Sequence, residues 1–233
     1  MKKRIWELDD LRGLFILCMI VVHFVYDLVY LYQYVNLKDG GLFEFLSQWG
    51  GILFFLLSGI CVTLGSRPVR RGILVFSCGM LCTAVTLGMY LLKLQPQSII
   101  IYFGVLHCLG VCMLLWPVFR KLPVWALGVI GAVIIGVGLW LSVTVLVDFP
   151  WLVPLGFVYP GFTTSDYFPI APYLGYFLIG AVLGRTVYRQ KQTLFPKVDP
   201  RNPLIKFLIL VGKWSLPIYL LHQPIITLIM ELL

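Results

Sequence analysis

Long apolar runs recur along this chain and leave it few ways to fold. Most have about the 20 residues that an α-helix needs to cross the roughly 30 Å hydrocarbon core of a bilayer, and the last two are shorter. Only 12% of the residues are charged, against about 25% in soluble globular domains. The first run is too long for a signal peptide, lacks a small-residue cleavage site and is followed by further runs. The sequence therefore predicts an integral membrane protein.

We predict an all-α, polytopic membrane helix bundle with about seven transmembrane helices, forming a single domain over residues 1–233. The predicted spans are 12–32, 43–65, 72–92, 99–119, 124–147, 170–187 and 214–231. A further apolar stretch at 203–212 predicts an interfacial helix that leads into the last span. A long outer loop of about 148–169 and a basic cytoplasmic loop of about 186–213 complete the predicted topology.

Basic residues cluster between alternate spans and set the orientation. If the N-terminus is cytoplasmic, Lys2, Lys3, Arg4 and the later basic groups lie inside, and only Lys38 and Lys93 lie outside. Sixteen of the 18 basic residues then share one face, as the positive-inside rule requires. The net charge of +8 is therefore interpreted as a topology signal rather than a nucleic-acid-binding surface.

The three histidines of the chain all fall inside predicted spans. At 1.5 Å per residue, His23, His107 and His222 each come out near the middle of the bilayer, on three different helices. One such histidine could simply hydrogen-bond a neighbouring helix. Three at one depth favour a functional site, since ionisable groups in a membrane normally face a bundle interior or a wet cavity.

Two charged residues accompany His23 on the first predicted helix. Asp27 follows it by four positions and shares its face, where a carboxylate could orient the imidazole or could be solvated near the helix end. Arg12 sits at the inner boundary, either snorkelling or pairing with Asp9, Asp10 or a donor phosphate. Histidine at neutral pH can transfer protons, act as a general base or form an acyl-imidazole, and all three uses suit acyl transfer.

A metal centre is not predicted. Zinc bound by the three histidines is conceivable, but the carboxylates that usually orient such ligands are scarce at this depth. The six cysteines lie within apolar runs and show no CxxC pair, so we interpret them as small packing residues.

Several segments of the sequence resemble membrane acyltransferases. Arg12 and His23, within LRGLFILCMIVVHF, resemble the Arg-x10-His signature of the acyltransferase-3 type, and GGILFFLLSGI (50–60) and WSLPIYLLHQPII (214–226) resemble its second-helix and late-helix motifs. FGVLHCLGV (103–111) and DYFPIAPYLGYFLIGAVLGR (166–185) are similar to a shorter bacterial group. That group is related to the catalytic domain of heparan-α-glucosaminide N-acetyltransferase.

The resemblance implies transfer of an acyl group, commonly acetyl, from acyl-CoA across the membrane. The acceptor it implies is an extracytoplasmic amine or hydroxyl, usually on a sugar or glycan. It further implies that His23 is catalytic with Arg12 as its companion, and that the protein resides in a bacterial plasma (inner) membrane. We expect His107 and His222 to stabilise an oxyanion or to move protons beside His23 and Asp27.

Donor and acceptor sites are expected on opposite faces. Arginine forks match phosphate oxygens, so Arg67, Arg70, Arg71 and Arg185 on the inner face are candidate coenzyme A ligands, or else plain topology residues. Ser58 lies among small residues that could pack helices closely or leave room for the pantetheine arm. In the aromatic outer loop, Trp151, Asp166 and Tyr167 are candidate acceptor contacts; the alternative is an interfacial aromatic belt.

Two other classes of function stay open. Buried histidine and aspartate could form the proton relay of a small transporter or flippase, although the sequence shows no repeat pair with matched broken helices. A non-catalytic membrane scaffold is the second alternative. The expected partners are acyl-CoA, the acceptor and the lipid bilayer, without nucleic acid; a homodimer is left open.

Overall fold

A computed structural model describes residues 5–32, 34–35, 41–144 and 147–232 of the chain. Of the basic residues that orient the predicted topology, Lys2, Lys3, Arg4 and Lys38 lie outside the described residues.

The described residues form a helical protein, which confirms the predicted all-α fold. Among these residues the β-pairing is one isolated bridge, between Phe103 and Tyr167. The helices are α1 (Trp6–Tyr26), α2 (Leu42–Leu64), α3 (Pro68–Leu91), α4 (Val105–Phe119), α5 (Val124–Thr144), α6 (Ile170–Thr186), α7 (Pro203–Lys213) and α8 (Ser215–Leu232). A π-helical turn, Asp27–Leu31, continues α1, and short 3₁₀ turns occupy Gln97–Ile99 and Pro150–Leu155.

Each of the seven predicted spans coincides with a helix, and the predicted interfacial segment is α7. Within the described residues, four helical segments are long and apolar enough to cross a membrane: Trp6–Val29, Pro68–Leu91, Val124–Leu141 and Ser215–Leu232. The apolar helices Trp49–Leu64, Val105–Phe119 and Ile170–Thr186 are shorter. The structure thus shows a membrane-type bundle, while the count of seven spans and their orientation stay predictions.

The starts of two helices differ by six residues from those predicted. α1 begins at Trp6 rather than at residue 12, because its early acidic residues are buried with partners: Glu7 accepts hydrogen bonds from Thr193 Oγ1 and Leu194 N, and Asp9 pairs with Arg12. α4 begins at Val105 rather than at residue 99, because the preceding residues form a 3₁₀ turn and an extended stretch.

The chain divides into two compact units. The first comprises residues 1–57 and 190–233 and therefore contains α1, the first part of α2, α7 and α8. The second comprises residues 58–189 and contains the end of α2 and α3 to α6. The prediction of a single domain over 1–233 stays a prediction.

In the first unit, α1 packs against both α7 and α8. Two glycines allow α1 and α7 to approach backbone to backbone. A methyl group at Gly13 would meet the carbonyl of Leu208, with its carbon at 2.8 Å, and one at Gly212 would meet the carbonyl of Asp9, also with its carbon at 2.8 Å. Small residues at such crossings are the usual means of close packing between membrane helices.

In the second unit, α3 packs on α4, α5 packs on α6, and α4 also contacts α6. Glycine again permits the closest approach: a methyl group at Gly175 of α6 would lie 2.6 Å from the carbonyl oxygen of Gly131 on α5. Large apolar side chains stay exposed on the outer faces, for example Leu74 at 57% and Val129 at 57%. Exposed apolar surface of this kind suits contact with lipid.

Candidate functional site

The first unit brings two of the three histidines together. His23 of α1 and His222 of α8 face each other with ring centroids 4.9 Å apart and ring planes at 72°. His222 is buried, with 8% of its surface exposed, and His23 is half-buried. The two rings are therefore neighbours although 199 positions separate the residues in the sequence, and their catalytic roles stay predictions.

Both imidazoles are held in the same tautomer by their own helices. Nδ1 of His23 lies 2.9 Å from the carbonyl oxygen of Met19, and Nδ1 of His222 bonds the carbonyl oxygen of Tyr219. Because a carbonyl oxygen can only accept, each Nδ1 carries the proton and donates it. In the neutral rings Nε2 is then the basic nitrogen, with a lone pair available for a proton or an electrophile.

Asp27 and Gln223 lie one helical turn or less from the histidine pair. Asp27 is 3% exposed, and its Oδ2 accepts a hydrogen bond of 2.7 Å from Gln223 Nε2. We considered two roles for Asp27, orienting His23 or being solvated near the helix end. Its carboxylate is buried, and its hydrogen-bond partner is Gln223, the residue after His222. The contact therefore joins the end of α1 to α8 and fixes the relative position of the helices that carry the two rings.

Arg12 lies three residues after Asp9 and forms an ion pair with it, Nη1 to Oδ1 at 3.1 Å. This geometry matches one of the roles considered for Arg12. Among the described residues, Oδ1 of neighbouring Asp10 is buried without a hydrogen-bond partner. Arg12 therefore helps to neutralise an acidic first turn of α1, in which Glu7 and Asp9 are buried.

His107 belongs to the second unit and is 2% exposed. Its Nδ1 accepts from Gly104 N at 3.2 Å, and its Nε2 lies 3.2 Å from Thr83 Oγ1. Thr83 Oγ1 donates its own proton to the Ile101 carbonyl at 2.6 Å, so it accepts from Nε2 of His107. Both ring nitrogens are thus engaged in holding the start of α4. A structural role accounts for this geometry, and a catalytic role for His107 stays a prediction.

The outer-loop candidates also lie in the second unit. Asp166 Oδ2 accepts from Val105 N at 3.0 Å, which caps the start of α4. Tyr167 donates to the Val153 carbonyl at 2.8 Å, and burial raises the pKa of its hydroxyl to about 12, so it remains a donor at neutral pH. Trp151 is 75% exposed. Asp166 and Tyr167 therefore shape the loop, and Trp151 is the candidate with an open ring face.

The arginines differ in their freedom to bind a ligand. Arg185 donates from Nη1 to the Leu122 carbonyl at 2.7 Å and from Nη2 to the Arg120 carbonyl. Its guanidinium also lies 5.1 Å from the centre of the Trp116 ring, within the range of a cation–π contact. These contacts satisfy backbone carbonyls at and just after the C-terminal end of α4. Arg185 is therefore engaged within its unit.

The remaining donor-site candidates lie at the end of α2 and the start of α3. Arg67, Arg70 and Arg71 are exposed. Arg67 directly precedes α3 with φ at 60°. Ser58 is 8% exposed on α2, next to Gly59, where a methyl group would meet the Phe177 carbonyl. That contact favours the close-packing interpretation of this segment.

Sequence reasoning missed several partners that the structure supplies. The hydroxyl of Thr83 is hydrogen-bonded to His107, and the side-chain amide of Gln223 is hydrogen-bonded to Asp27. The signal for Gln223 was present, since an amide beside a histidine in an apolar helix is costly without a partner. Over residues 5–32, 34–35, 41–144 and 147–232, no group of three His, Cys, Asp or Glu residues is arranged to hold a metal ion.

Comparison with known proteins gives one match. A family model described as heparan-alpha-glucosaminide N-acetyltransferase, catalytic, matches residues 4–224, nearly the whole chain. No curated protein and no solved structure matches the chain.

Proposed function

The chain belongs to the heparan-α-glucosaminide N-acetyltransferase catalytic-domain family, and from that premise we propose that it transfers an acyl group from cytoplasmic acyl-CoA. Family membership supports a transmembrane acetyltransferase-type function. The finer proposal is that the acyl group is acetyl and that the acceptor is an extracytoplasmic amine or hydroxyl on a sugar or glycan. The membrane would be a bacterial inner membrane.

The observation that carries this proposal is the His23–His222 pair. Its two basic nitrogens lie on neighbouring helices, and each ring has its Nδ1 proton engaged with a backbone carbonyl. Fixed orientation of an imidazole is what general-base and nucleophilic catalysis require, because the reacting nitrogen must lie within hydrogen-bond reach of its target.

In the proposed first step, Nε2 of His23 attacks the thioester carbonyl carbon. An N–C bond forms, the C–S bond breaks, and coenzyme A leaves as a thiolate that takes up one proton. The Met19 carbonyl, already bonded to Nδ1–H, stabilises the positive charge that the acylated ring acquires. In the second step the acceptor attacks the same carbonyl carbon, loses its proton to a base, and restores His23.

Exposed arginines support a donor site for the nucleotide. Arg67, Arg70 and Arg71 fall within five residues of one another, are all exposed, and can form bidentate contacts with phosphate oxygens. Arg185 is a weaker candidate, because its guanidinium already serves two carbonyls and an aromatic ring.

Transfer of labelled acetyl groups in oriented proteoliposomes tests the proposal. Acetyl-CoA is supplied on the cytoplasmic side, and acetylated glucosamine is measured on the other. Replacing His23 by glutamine removes the proposed nucleophile and should abolish transfer, without loss of fold. Cys18→Ser, on the same helix and also half-buried, is the matched control.

Three results would contradict parts of the proposal. Normal turnover by folded His23→Gln protein would remove His23 from the reaction. Product formed only when both substrates share one compartment would overturn the transmembrane route. Proton-coupled flux without any transfer from acetyl-CoA would favour the transporter alternative.

A further inference from the structure

An apolar groove runs along α1, α7 and α8 within the first unit, with a volume of about 660 Å³. This lies within the roughly 300–1,000 Å³ of small-ligand sites. Aliphatic and aromatic side chains form nearly all of its wall, among them Ile20 and Phe24 of α1, Leu210 of α7, and Ile225 and Ile229 of α8. A surface of this kind fits a hydrocarbon chain.

His222 is the ionisable residue in the wall of this groove. The side chain is more than nine-tenths buried, and its Nδ1 proton is used by the Tyr219 carbonyl. Within the part of the chain that the structure describes, its Nε2 is buried and has no hydrogen-bond partner. An unsatisfied buried acceptor is costly, so a ligand group that donates a hydrogen bond to Nε2 would be favoured at this point.

We propose that this groove seats the hydrocarbon chain of an amphiphilic acyl acceptor, whose hydroxyl or amine meets Nε2 of His222. The proposal rests on the proposed acyltransferase function and names its acceptor class. The acceptor's O–H or N–H bond breaks and its proton goes to Nε2 of His222. Its oxygen or nitrogen bonds to the acyl carbon on His23, the bond from that carbon to His23 breaks, and His222 returns the proton to solvent.

Hydrogen-bond complementarity selects this occupant over two others. The reactive end of a fatty acyl thioester presents a carbonyl oxygen and a sulfur, both acceptors, to a nitrogen that is itself an acceptor. The ester and phosphate oxygens at the chain end of a bulk phospholipid present acceptors in the same way. A hydroxyl or amine supplies the missing donor. The ring centroids of His222 and His23 lie 4.9 Å apart, so an acceptor held by His222 would be beside His23, as transfer requires.

A pair of matched tryptophan substitutions on α8 tests the groove. Ile225 lies in the groove wall and is 52% exposed, whereas Leu228 is 58% exposed and lies outside the wall. The variants Ile225→Trp and Leu228→Trp are compared for acetylation of methyl and hexadecyl glucosaminide, which share one head group. The partitioning of each probe between water and vesicles is the same for every protein, so a change in the ratio of kcat/KM for the two probes from one protein to another isolates the groove.

Ile225→Trp should lower the hexadecyl-to-methyl ratio by roughly ten- to fiftyfold, as expected if contact with two or three methylenes is lost. Leu228→Trp should leave the ratio unchanged. Equal ratios for the wild type and both variants would show that the groove does not bind the hydrocarbon chain of the acceptor. A wild-type enzyme that acetylates only the methyl probe would show the same. In both cases the acyltransferase function would stand.

A binding measurement separates the groove from the catalytic proposal. A hexadecyl glucosaminide with a diazirine near the end of its chain is photoactivated in vesicles, with and without excess unlabelled probe. Labelling of groove residues that the competitor removes supports the site even if no transfer occurs, in which case the proposed function alone fails. Labelling of groove residues by a hexadecanoyl-CoA that carries the same diazirine, if hexadecyl glucosaminide does not compete with it, would assign the groove to the donor and overturn the inference.

Discussion

Replacing Gly212 by alanine should separate α7 from α1 and destabilise the first unit. The added methyl carbon would lie 2.8 Å from the carbonyl carbon of Asp9, closer still to its oxygen, and 3.0 Å from Gly13 N. Carbon atoms in contact normally sit about 3.5–4.0 Å apart. The two helix backbones must therefore move apart by at least roughly 0.7–1.2 Å to relieve the contact with the carbonyl carbon, and the closer oxygen requires more. Neither atom belongs to a side chain that could rotate away.

Overpacking of this kind typically costs about 1–3 kcal/mol. Function should suffer more than stability, because α7 leads through Trp214 directly into α8, which carries His222. A displacement of about 1 Å at a catalytic group can lower turnover by roughly 100-fold. The expected result is a lower melting temperature in detergent, together with a fall in kcat that exceeds the loss of folded protein.

Gly50→Ala is the matched control. Gly50 lies in α2, and a methyl group there would meet nothing within 4 Å. In a helix the same substitution otherwise stabilises by about 0.4–1 kcal/mol, because alanine loses less chain entropy on folding. Equal melting temperatures for Gly212→Ala and Gly50→Ala would refute the inference that the α1–α7 crossing is in backbone contact.

Three further predictions concern Gln223, Arg185 and Arg70. Gln223→Leu should destabilise the protein by about 1–3 kcal/mol, since it leaves the buried Asp27 carboxylate without its amide donor. Adding Asp27→Leu should recover part of that loss. A double-mutant cycle on denaturant unfolding measures the recovered free energy. Arg185→Lys should lower the melting temperature, because lysine lacks the planar fork that binds the Leu122 and Arg120 carbonyls. It should leave the KM for acetyl-CoA unchanged. Arg70→Gln should raise the KM for acetyl-CoA without changing the melting temperature. The opposite pattern would place Arg185 at the donor.

The helices were predictable from sequence because apolar runs, and the clusters of basic residues between them, are local patterns in the chain. A run such as the one in α5 has only one favourable structure in lipid, where every backbone polar group must be bonded within the helix. The boundaries were less predictable because partners far along the chain decide them. Thr193 and Leu194 bind the carboxylate of Glu7 in the first turn of α1, and no local pattern announces that contact.

The candidate site was predictable only in part for a related reason. Depth along each predicted span placed all three histidines at one level, but depth does not specify which side of a helix faces which neighbour. That depends on close crossings such as Gly13 with Gly212, which sequence spacing alone does not pair. The structure therefore joins His23 to His222 and gives His107 two partners of its own.

The hydrogen bonds at each ring give the three histidines different capacities to react. His107 has Thr83 on Nε2 and Gly104 on Nδ1, so protonating it would break the bond from Gly104 N. His23 and His222 use only Nδ1 for support, each toward a carbonyl that also suits the protonated ring. A proton or an acyl group can therefore arrive at Nε2 without disturbing the contact that orients the ring. Catalysis by a buried imidazole requires that one ring nitrogen fixes the orientation of the ring while the other reacts.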